Sequence, residues 1–287
     1  MAEKIISELI KIGFVKGEVD PCLIYRRDSY GLCMIALYVD DCLCVGDNSA
    51  LDKAISEIQK IFKIKVKDTV QDYLGCNIKE YQDSTFIHQK HTYEHLKEKF
   101  LSLVTHLSTN KIQSYSTPGT PGFRIVRALP EDPTLSSNQQ KLYRSGVGIL
   151  LYLVKHTRPD LANPVRELSK AMDRATEGHW KELLRVITYT MSTQNKGLLL
   201  KPTKTLHNLN LHILVDVEFG GDVENRKSIM GRLIYLNEAL IGWGSKSMSG
   251  VTLSSTEAEY VSMSEGVKDL KFVYMCLEFL GFTIDLP

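Results

Sequence analysis

The sequence has few of the features that mark secreted or disulfide-linked proteins. Its 287 residues include six cysteines, which form no C-x-x-C pair. Because several of them lie within apolar runs, we expect buried free thiols in a reducing compartment and no disulfide framework. The N-terminal stretch MAEKIISELIKIGF interleaves charged residues with Ile and Leu, so it lacks the apolar core and the cleavage site of a secretory signal. We therefore expect a cytoplasmic or nuclear protein that is not secreted.

Long hydrophobic runs and an excess of one charge are also missing. The longest apolar stretches, GLCMIALYV and GVGILLYLV, are much shorter than the ~20 residues that span a membrane. The 35 basic and 34 acidic side chains leave a formal net charge of +1. This balance excludes a polybasic protein that coats nucleic acid, but it leaves room for local basic grooves. Hydrophobic residues make up 43% of the chain, which is ordinary for a globular protein, and the length favours two domains.

Hydrophobic periodicity predicts a mixed α/β protein of the α+β kind. Three apolar runs in CLIYRRDSYGLCMIALYVDDCLCVGD predict a meander of strands. A helix is expected next, with Ser49 as its N-cap, and KIKVKD, YLGCNIKEY and STFIHQ are strand-like. Residues 112–140 are rich in Pro, Gly and Ser and predict a linker. Three helices follow, and then a strand (LNLHILVDVEFGG), a hairpin and a helix capped by Ser254 or Ser255.

Two adjacent carboxylates, Asp40 and Asp41, separate two apolar runs in the predicted meander. Such a pair is costly because like charges repel and each carboxylate loses solvation. Mg²⁺ relieves both effects, since it prefers hard oxygen ligands and keeps positions open for phosphate oxygens. A pair of such ions can activate a hydroxyl and stabilise a leaving pyrophosphate. A solvated Asp-Asp turn explains the same residues without a metal, and the local sequence leaves both interpretations open.

Other conspicuous residues have structural explanations. Trp180 lies among core-spaced leucines and Trp243 lies in a strand, so both are expected to pack internally rather than to stack on bases. The basic run KIFKIKVKD fits phosphate contacts or a solvated face equally well. His91 and His95 have helical spacing but lack the Cys partners or the HExxH pattern of a zinc site. Asp222 is expected to be a surface acid.

Several segments resemble copia-type retrotransposon reverse transcriptases. Tyr38-Val39-Asp40-Asp41, within LYVDDCLCVGD, resembles the polymerase active-site hairpin of that family. The resemblance extends in the same order through GFVKGEVDPCLIYRR, YLGCNIKEYQDSTFIHQKHTYEHLKEKF (primer grip and thumb), TPGT (linker), YRSGVGILLYLVKHTRPDLANPVRELSKAM and HWKELLRVITYTMSTQNKGL (connection helices) and VDVEFGGDVENRKSIMGRLIYLNEALIGWGSKSMSGVTLSSTEAEYVSMSEGVKD (RNase H domain). It therefore covers nearly the whole chain.

The resemblance implies two activities, RNA-directed DNA synthesis and hydrolysis of RNA in an RNA–DNA hybrid. Asp40 and Asp41 take the places of catalytic residues that hold Mg²⁺ for polymerisation. Asp216 takes the place of the family's first strand Asp, and Glu257 that of its helix Glu, which hold Mg²⁺ for hydrolysis. Without the resemblance, Glu257 reads as an ordinary acid at a helix N-terminus. A primer-template or RNA–DNA hybrid is the implied partner, and no membrane partner is implied.

The resemblance also implies an order of domains and two gaps. Residues 1–111 would form a partial palm and thumb, 112–140 a linker, 141–204 a helical connection and 205–287 a truncated RNase H-like domain. The family has a third palm carboxylate upstream, and no segment before Tyr38 resembles it. The RNase H domain of the family continues beyond its helix, and Asp285 lacks the surrounding motif. We therefore expect weak metal binding, and an inactive or impaired enzyme when the chain acts alone.

A second interpretation belongs to another functional class. The chain would be a non-catalytic nucleic-acid-binding or interaction protein derived from the element. Near-neutral net charge argues against strong nonspecific binding to nucleic acid, which depends on Lys and Arg neutralising phosphates. A truncated sheet would expose apolar edges, so self-association through those edges is also expected.

Overall fold

The computed structural model describes residues 2–105, 112–201 and 209–285. Helices and strands are interspersed along these ranges, which confirms the mixed α/β composition. Among the described residues, helices with both the length and the hydropathy of a membrane span are absent. The helices are α1 (Ala2–Lys11), α2 (Asn48–Ile61), α3 (Lys90–Val104), α4 (Ser137–His156), α5 (Ala162–Ser169), α6 (Glu177–Ser192) and α7 (Ser255–Phe279), with a short 3₁₀ helix (Pro159–Leu161) before α5.

The strands of the described ranges form three sheets of four strands each. The strands are β1 (Val15–Lys16), β2 (Leu23–Asp28), β3 (Gly31–Tyr38), β4 (Asp41–Gly46), β5 (Asp72–Tyr73), β6 (Cys76–Tyr81), β7 (Ser84–His88), β8 (Leu198–Leu200), β9 (Leu209–Glu218), β10 (Ile229–Leu236), β11 (Ala239–Ser247) and β12 (Ile284–Asp285). Their orders are β1-β2-β3-β4, β5-β6-β7-β8 and β11-β10-β9-β12. The predicted meander at β2–β4 and the hairpin at β10–β11 are both confirmed.

The chain divides into two compact units. The first contains the described residues of 1–70, 203–212 and 267–287, and the second contains those of 71–202 and 213–266. Strand β9 and helix α7 each contribute residues to both units. The domain boundaries expected at 111/112 and 204/205 touch segments 106–111 and 202–208, which lie outside the described residues. The four-segment division therefore stays a prediction.

The first unit buries one face of its meander against α1 and α2. Alternate residues of β3 point to opposite sides of the sheet, so Cys33 and Ile35 lie fully inside while their neighbours are only half-buried. They pack with Leu9 of α1 and with Ala50 and Ala54 of α2. The small alanines allow α2 to approach the sheet closely, and this packing fixes the body of β3 against the two helices.

The second unit is built around helices α3 to α6. Their core joins residues from all four helices, among them Phe100, Tyr143, Leu150 and Leu183. Trp180 is buried in this core near Phe100, which confirms its structural assignment. The indole N–H of Trp243 donates to the carbonyl of Val154, so this side chain also has a structural role. The proline-rich segment is irregular, as expected, but Phe123 and Ile125 within it are buried in the same core.

Two local expectations are wrong. Asp47, not Ser49, precedes α2, and its carboxylate accepts from the backbone N–H of Leu32 at 2.8 Å instead of capping the helix. Ser49 lies within the first turn and donates to the carbonyl of Tyr30. The segment KIKVKD forms no strand, and Ile64 and Val66 within it are exposed. Alternating sequence produces a strand only where a neighbouring strand supplies hydrogen bonds, and this segment has none.

The cysteines confirm one expectation and correct another. All six are free thiols, as the spacing predicted. Cys33 and Cys76 are buried, whereas Cys22 and Cys42 are exposed, so burial is not general. Burial raises the pKa of Cys33 to about 11, and a thiol that stays protonated at neutral pH is a poor nucleophile.

Helix α6 begins with a capping box that depends on a neutral histidine. Thr176 accepts from the backbone N–H of His179, and Nδ1 of His179 accepts from the backbone N–H of Thr176 at 3.1 Å. The other ring nitrogen lies 2.9 Å from the carbonyl of Val126. Because a carbonyl only accepts, Nε2 carries the proton and Nδ1 is free to accept. Burial lowers the pKa of His179, and the bond to Val126 only partly offsets this effect.

Acidification is therefore expected to weaken the second unit through His179. The folded-state pKa lies below the unfolded value of 6.5, so its stability contribution is complete above pH 6.5 and is lost as the pH falls from there through the folded pKa. Loss of the cap should cost about 1 kcal/mol. The variant His179→Gln keeps an acceptor at this position and should lose that part of the pH dependence. Urea unfolding followed by tryptophan fluorescence measures this difference, and identical pH profiles would refute it.

Candidate functional site

The carboxylates Asp40 and Asp41 lie at the tip of a tight hairpin in the first unit. Tyr38 pairs with Asp41, so the loop between β3 and β4 consists of only Val39 and Asp40. Both carboxylates are exposed, and neither accepts a hydrogen bond or forms an ion pair in the described structure. The hairpin therefore presents two adjacent carboxylates whose oxygens are all available to a ligand.

Val39 gives this hairpin an unusual backbone. Its φ is 55°, and Asp40 is not among the residues with positive φ. A positive φ at only the first loop residue is typical of a type II′ turn, where glycine is preferred. A β-branched residue in the left-handed region costs about 1–2 kcal/mol, and such strain is concentrated at functional sites. The strain is an observation that the sequence pattern alone did not reveal.

The oxygens of this hairpin suit a hard divalent cation. Mg²⁺ is commonly held by one or two carboxylates together with water and substrate phosphates. Asp40 and Asp41 fit that donor set, although within the described ranges no cluster of three or more His, Cys, Asp or Glu side chains is arranged to hold a metal. Weak binding of a cation at these two carboxylates stays a prediction.

Asp216 lies in the second unit, in a groove of about 400 Å³. The groove is formed by the strands β9 to β11 together with the 3₁₀ helix and the start of α5, and Asn163 and Trp243 line it with Asp216. The side chain of Asp216 is exposed and has no hydrogen-bond or ionic partner in the described structure. Its carboxylate is therefore available to a cation or to a hydrogen-bond donor.

Glu257 lies in the first turn of α7, as predicted, and its carboxylate is engaged locally. Ser254 accepts from the backbone N–H of Glu257 at 3.1 Å, which confirms Ser254 as the cap. The carboxylate of Glu257 accepts from the backbone N–H of Leu253 at 2.6 Å. One oxygen thus holds the backbone of the residue before the cap, and the helix dipole favours the negative charge there.

The structure places Asp216 and α7 on opposite faces of β9. Val217 packs against Ala258 of α7 and against Met230 and Met248. Successive side chains of a strand point to opposite faces, so Asp216 points away from that side and into the groove. The side chain of Asp216 therefore lies on the face of β9 opposite to the one that α7 covers.

The prediction that Asp222 is a surface acid is wrong. It is buried, and its carboxylate lies 2.9 Å from the ammonium of Lys170. It also accepts from the backbone N–H of Glu224 and Asn225 in the loop after β9. Burial favours the neutral acid, but these donors outweigh it and hold the pKa of Asp222 below its usual range. The sequence showed a charged residue in a loop, but it could not show that the ammonium of Lys170, the residue after α5, lies next to it.

Glu167 is a second buried acid that the sequence did not single out. It is fully buried, with Lys170 at 3.0 Å and Arg166 at 2.6 Å. It also accepts from the backbone N–H of Ile125 at 2.9 Å. Glu167 and Lys170 thus connect the proline-rich segment, α5 and, through Asp222, the loop after β9. This cluster supports the groove that contains Asp216.

The histidines of the 88–95 region have other partners than a metal. His91 lies 3.2 Å from Glu94 and His95 lies 3.5 Å from Glu98, both on the exposed side of α3. His88 is stacked beside Tyr93. No zinc site was predicted here, and the geometry supplies a separate explanation for each ring.

The chain is similar to several retrotransposon proteins. It is 30% identical over 284 residues to the Retrovirus-related Pol polyprotein from transposon RE2 of Arabidopsis thaliana, a match that covers 97% of this chain and 18% of that protein. It is 29% identical over 274 residues to the corresponding polyprotein from transposon TNT 1-94 of Nicotiana tabacum, covering 93% and 20%. Secreted RxLR effector protein 161 of Plasmopara viticola is 40% identical over 127 residues, covering 44% of this chain and 87% of that protein.

Neither a protein-family model nor a solved structure matches the chain. The matches along nearly its whole length define the class of protein, a retrotransposon Pol polyprotein. Within that class, the chain belongs to the copia-type family, which confirms the resemblance seen in the hairpin and its flanking segments. It spans about a fifth of the length of the Pol polyproteins from RE2 and TNT 1-94.

Proposed function

We propose that the chain is the reverse transcriptase and RNase H portion of a copia-type Pol polyprotein. The first unit, with the β3–β4 hairpin, corresponds to part of a polymerase palm, and β9–β11 with α7 corresponds to an RNase H-like sheet and helix. The reactions would be RNA-directed DNA synthesis at Asp40 and Asp41 and hydrolysis of RNA–DNA hybrids at Asp216 and Glu257. Turnover by this chain alone is expected to be slow.

The hairpin is the observation that carries this proposal. Tyr38-Val39-Asp40-Asp41 forms a two-residue loop with a strained valine and two free carboxylates. A structural turn would favour Gly or Asn at the strained position, so valine there indicates a constraint other than stability. When bound at these carboxylates, Mg²⁺ would supply Lewis-acid stabilisation of phosphoryl transfer. The hairpin itself contributes position, because its base is packed against α2.

The RNase H half can be tested separately with a labelled RNA–DNA hybrid and Mg²⁺. Asp216→Asn removes a free carboxylate and is expected to lower cleavage by about tenfold or more, the range for disturbing metal-site residues. Glu257→Gln keeps an acceptor for the helix cap and should lower cleavage similarly. Glu259→Gln, on the same helix, is the matched control and should cleave like the original chain. Equal cleavage by all four proteins would refute hydrolysis at these residues.

Binding without turnover is the second candidate function. It is favoured by the position of Asp216 and α7 on opposite faces of β9 and by the capping role of Glu257. A carboxylate already bonded to its own backbone is a poorer metal ligand than a free one. In this case the chain should bind an RNA–DNA hybrid, and the affinity should fall with salt concentration according to the number of phosphate contacts. The original chain should then cleave the hybrid no faster than the Asp216→Asn variant does.

A further inference from the structure

The groove of the second unit is lined by three carboxylates, and arginines neutralise two of them. The carboxylate of Asp160 accepts from Nε and Nη2 of Arg158 at 2.8 and 2.7 Å. The carboxylate of Glu218 is paired with Arg124 from the proline-rich segment. Asp216 is the one member of this set without an ionic partner in the described structure. The groove therefore contains more acidic side chains than it offers to a ligand.

Glu218 lies on the same face of the sheet as Asp216. The two residues are two apart on β9, so their side chains point to the same side, and both line the groove. A rise of ~3.3 Å per residue separates their Cα atoms by about 6.6 Å, a distance that two carboxylate side chains can span around one ion. A divalent cation is commonly held by such a pair of carboxylates together with water.

Arg124 occupies both carboxylate oxygens of Glu218. Its Nη2 contacts Oε1 and Oε2 together. Its Nε donates to the carbonyl of Gly221 at 3.2 Å, and Nη1 donates to the carbonyl of Phe123 at 2.6 Å. A Cβ at Gly221 would lie 2.8 Å from Oε2 of Glu218, so this arrangement depends on glycine at that position. The guanidinium is therefore held over the carboxylate by contacts from several sides.

The backbone on both sides of Arg124 is fixed in the core of the second unit. Phe123 and Ile125 are buried there, and the N–H of Ile125 donates to the buried carboxylate of Glu167. An exposed ion pair is weak partly because two mobile side chains must be ordered to form it, and here the arginine is already ordered. Since arginine keeps its charge at every physiological pH, the neutralisation of its partner does not depend on pH.

A second ion pair joins the same two segments without reaching the groove. Arg127 pairs with Glu224 at 2.8 Å, and neither residue belongs to the described lining of the groove. Both arginines thus attach the proline-rich segment to β9 and the loop after it. Arg124 does so at a carboxylate of the groove, whereas Arg127 does so outside it. The second pair is therefore a natural control for the first.

We infer that Glu218 is a second carboxylate ligand of this groove and that Arg124 competes with a divalent cation for it. The choice of a divalent cation rests on the proposed function, whereas the competing ion pair rests on the contacts described above. With Arg124 in place, the groove offers the carboxylate of Asp216 alone. Without it, both carboxylates are available to the same ion. The proline-rich segment thereby limits the metal occupancy of the groove.

The test measures Mn²⁺ binding by electron paramagnetic resonance, in the Asp40→Asn/Asp41→Asn background so that the hairpin does not contribute. Arg124→Gln should tighten Mn²⁺ binding by about tenfold, because a unit charge ~5 Å from a divalent ion repels it enough to change its affinity by about that factor even in bulk water. Arg124→Lys keeps the charge and should stay within about threefold of the original affinity. The matched control Arg127→Gln should change the affinity by less than about twofold.

Two further substitutions identify the ligands. Adding either Glu218→Gln or Asp216→Asn to Arg124→Gln should abolish the gain in Mn²⁺ affinity. A gain that survives Glu218→Gln, or equal gains in Arg124→Gln and Arg127→Gln, would overturn the inference. Absence of Asp216-dependent Mn²⁺ binding in Arg124→Gln would overturn it as well. Tryptophan-detected unfolding confirms that each variant is folded.

Cleavage of the RNA–DNA hybrid shows separately whether the proposed function holds. Loss of cleavage in Asp216→Asn, together with an unchanged Mn²⁺ affinity in Arg124→Gln, would overturn the competition and leave the RNase H proposal standing. Tighter Mn²⁺ binding in Arg124→Gln without cleavage by any of the proteins would support the competition and contradict the RNase H proposal. The two failures are therefore distinguishable.

Discussion

Replacing Glu167 with alanine is expected to lower the free energy of unfolding of the second unit by about 3–5 kcal/mol, the usual cost of breaking a buried ion pair on one side. The carboxylate of Glu167 is fully buried and pairs with Lys170 at 3.0 Å. It also accepts from the backbone N–H of Ile125. The alanine variant would leave a buried ammonium with Asp222 alone and a buried N–H without its acceptor.

The measurement is urea unfolding followed by tryptophan fluorescence. The two tryptophans of the chain, Trp180 and Trp243, both lie in the second unit, so their emission reports on that unit. Asp173→Ala, at an exposed position just after α5, is the matched control and should change stability by no more than about 0.5 kcal/mol. Glu167→Gln keeps the acceptor for Ile125 and should be intermediate. A loss below about 1 kcal/mol for Glu167→Ala would show that Asp222 alone satisfies Lys170.

Removing both hairpin carboxylates should suppress primer extension by about 100-fold or more. Changes in groups that only support metal ligands cost about 10–100-fold, and Asp40 and Asp41 would be the ligands themselves. The double variant Asp40→Asn/Asp41→Asn keeps the size of both side chains and should leave the hairpin folded. Incorporation of labelled nucleotides on an RNA template with Mg²⁺ measures the effect.

The matched control for the hairpin is Asp52→Asn on the exposed side of α2. It removes one carboxylate from the same unit and should leave extension unchanged. Binding of Mn²⁺, followed by its electron paramagnetic resonance signal, supplies a readout that does not depend on turnover. Extension that persists in the double variant would contradict a polymerase site at the hairpin. Extension that is lost without a change in Mn²⁺ affinity would contradict the assignment of these carboxylates as metal ligands.

Local sequence rules predicted the secondary structure well where a segment carries its own signal. The hairpin at Tyr38 to Asp41 follows from apolar runs on both sides of two polar residues. The start of α7 follows from Ser254 and Glu257, which complete a cap within four residues. The same rules failed at KIKVKD and at Ser49, because the outcome there depends on strands and carbonyl groups elsewhere in the chain. Alternation and capping propensity do not contain that information.

For the candidate sites, too, the sequence indicated which residues to consider but not how they are arranged in space. Adjacent carboxylates and carboxylates within a known motif can be recognised in the sequence alone. The sequence therefore indicated the four candidate residues Asp40, Asp41, Asp216 and Glu257. It could not indicate that Asp216 faces away from α7. Nor could it indicate that Arg124 pairs with Glu218 of the same groove. Such facts depend on strand register and on contacts between segments that are distant in the chain.

The sequence by itself determined the family, most of the order of helices and strands and the positions of the four carboxylates in the chain, since each depends on neighbouring residues or on a collinear pattern. The tertiary structure alone decided which of these groups are free and which are engaged. Asp222 and Glu167 became buried partners of Lys170, and Glu257 became a helix cap. Burial, register and long-range pairing set those outcomes, because the energy of a charge depends on what surrounds it in space rather than along the chain.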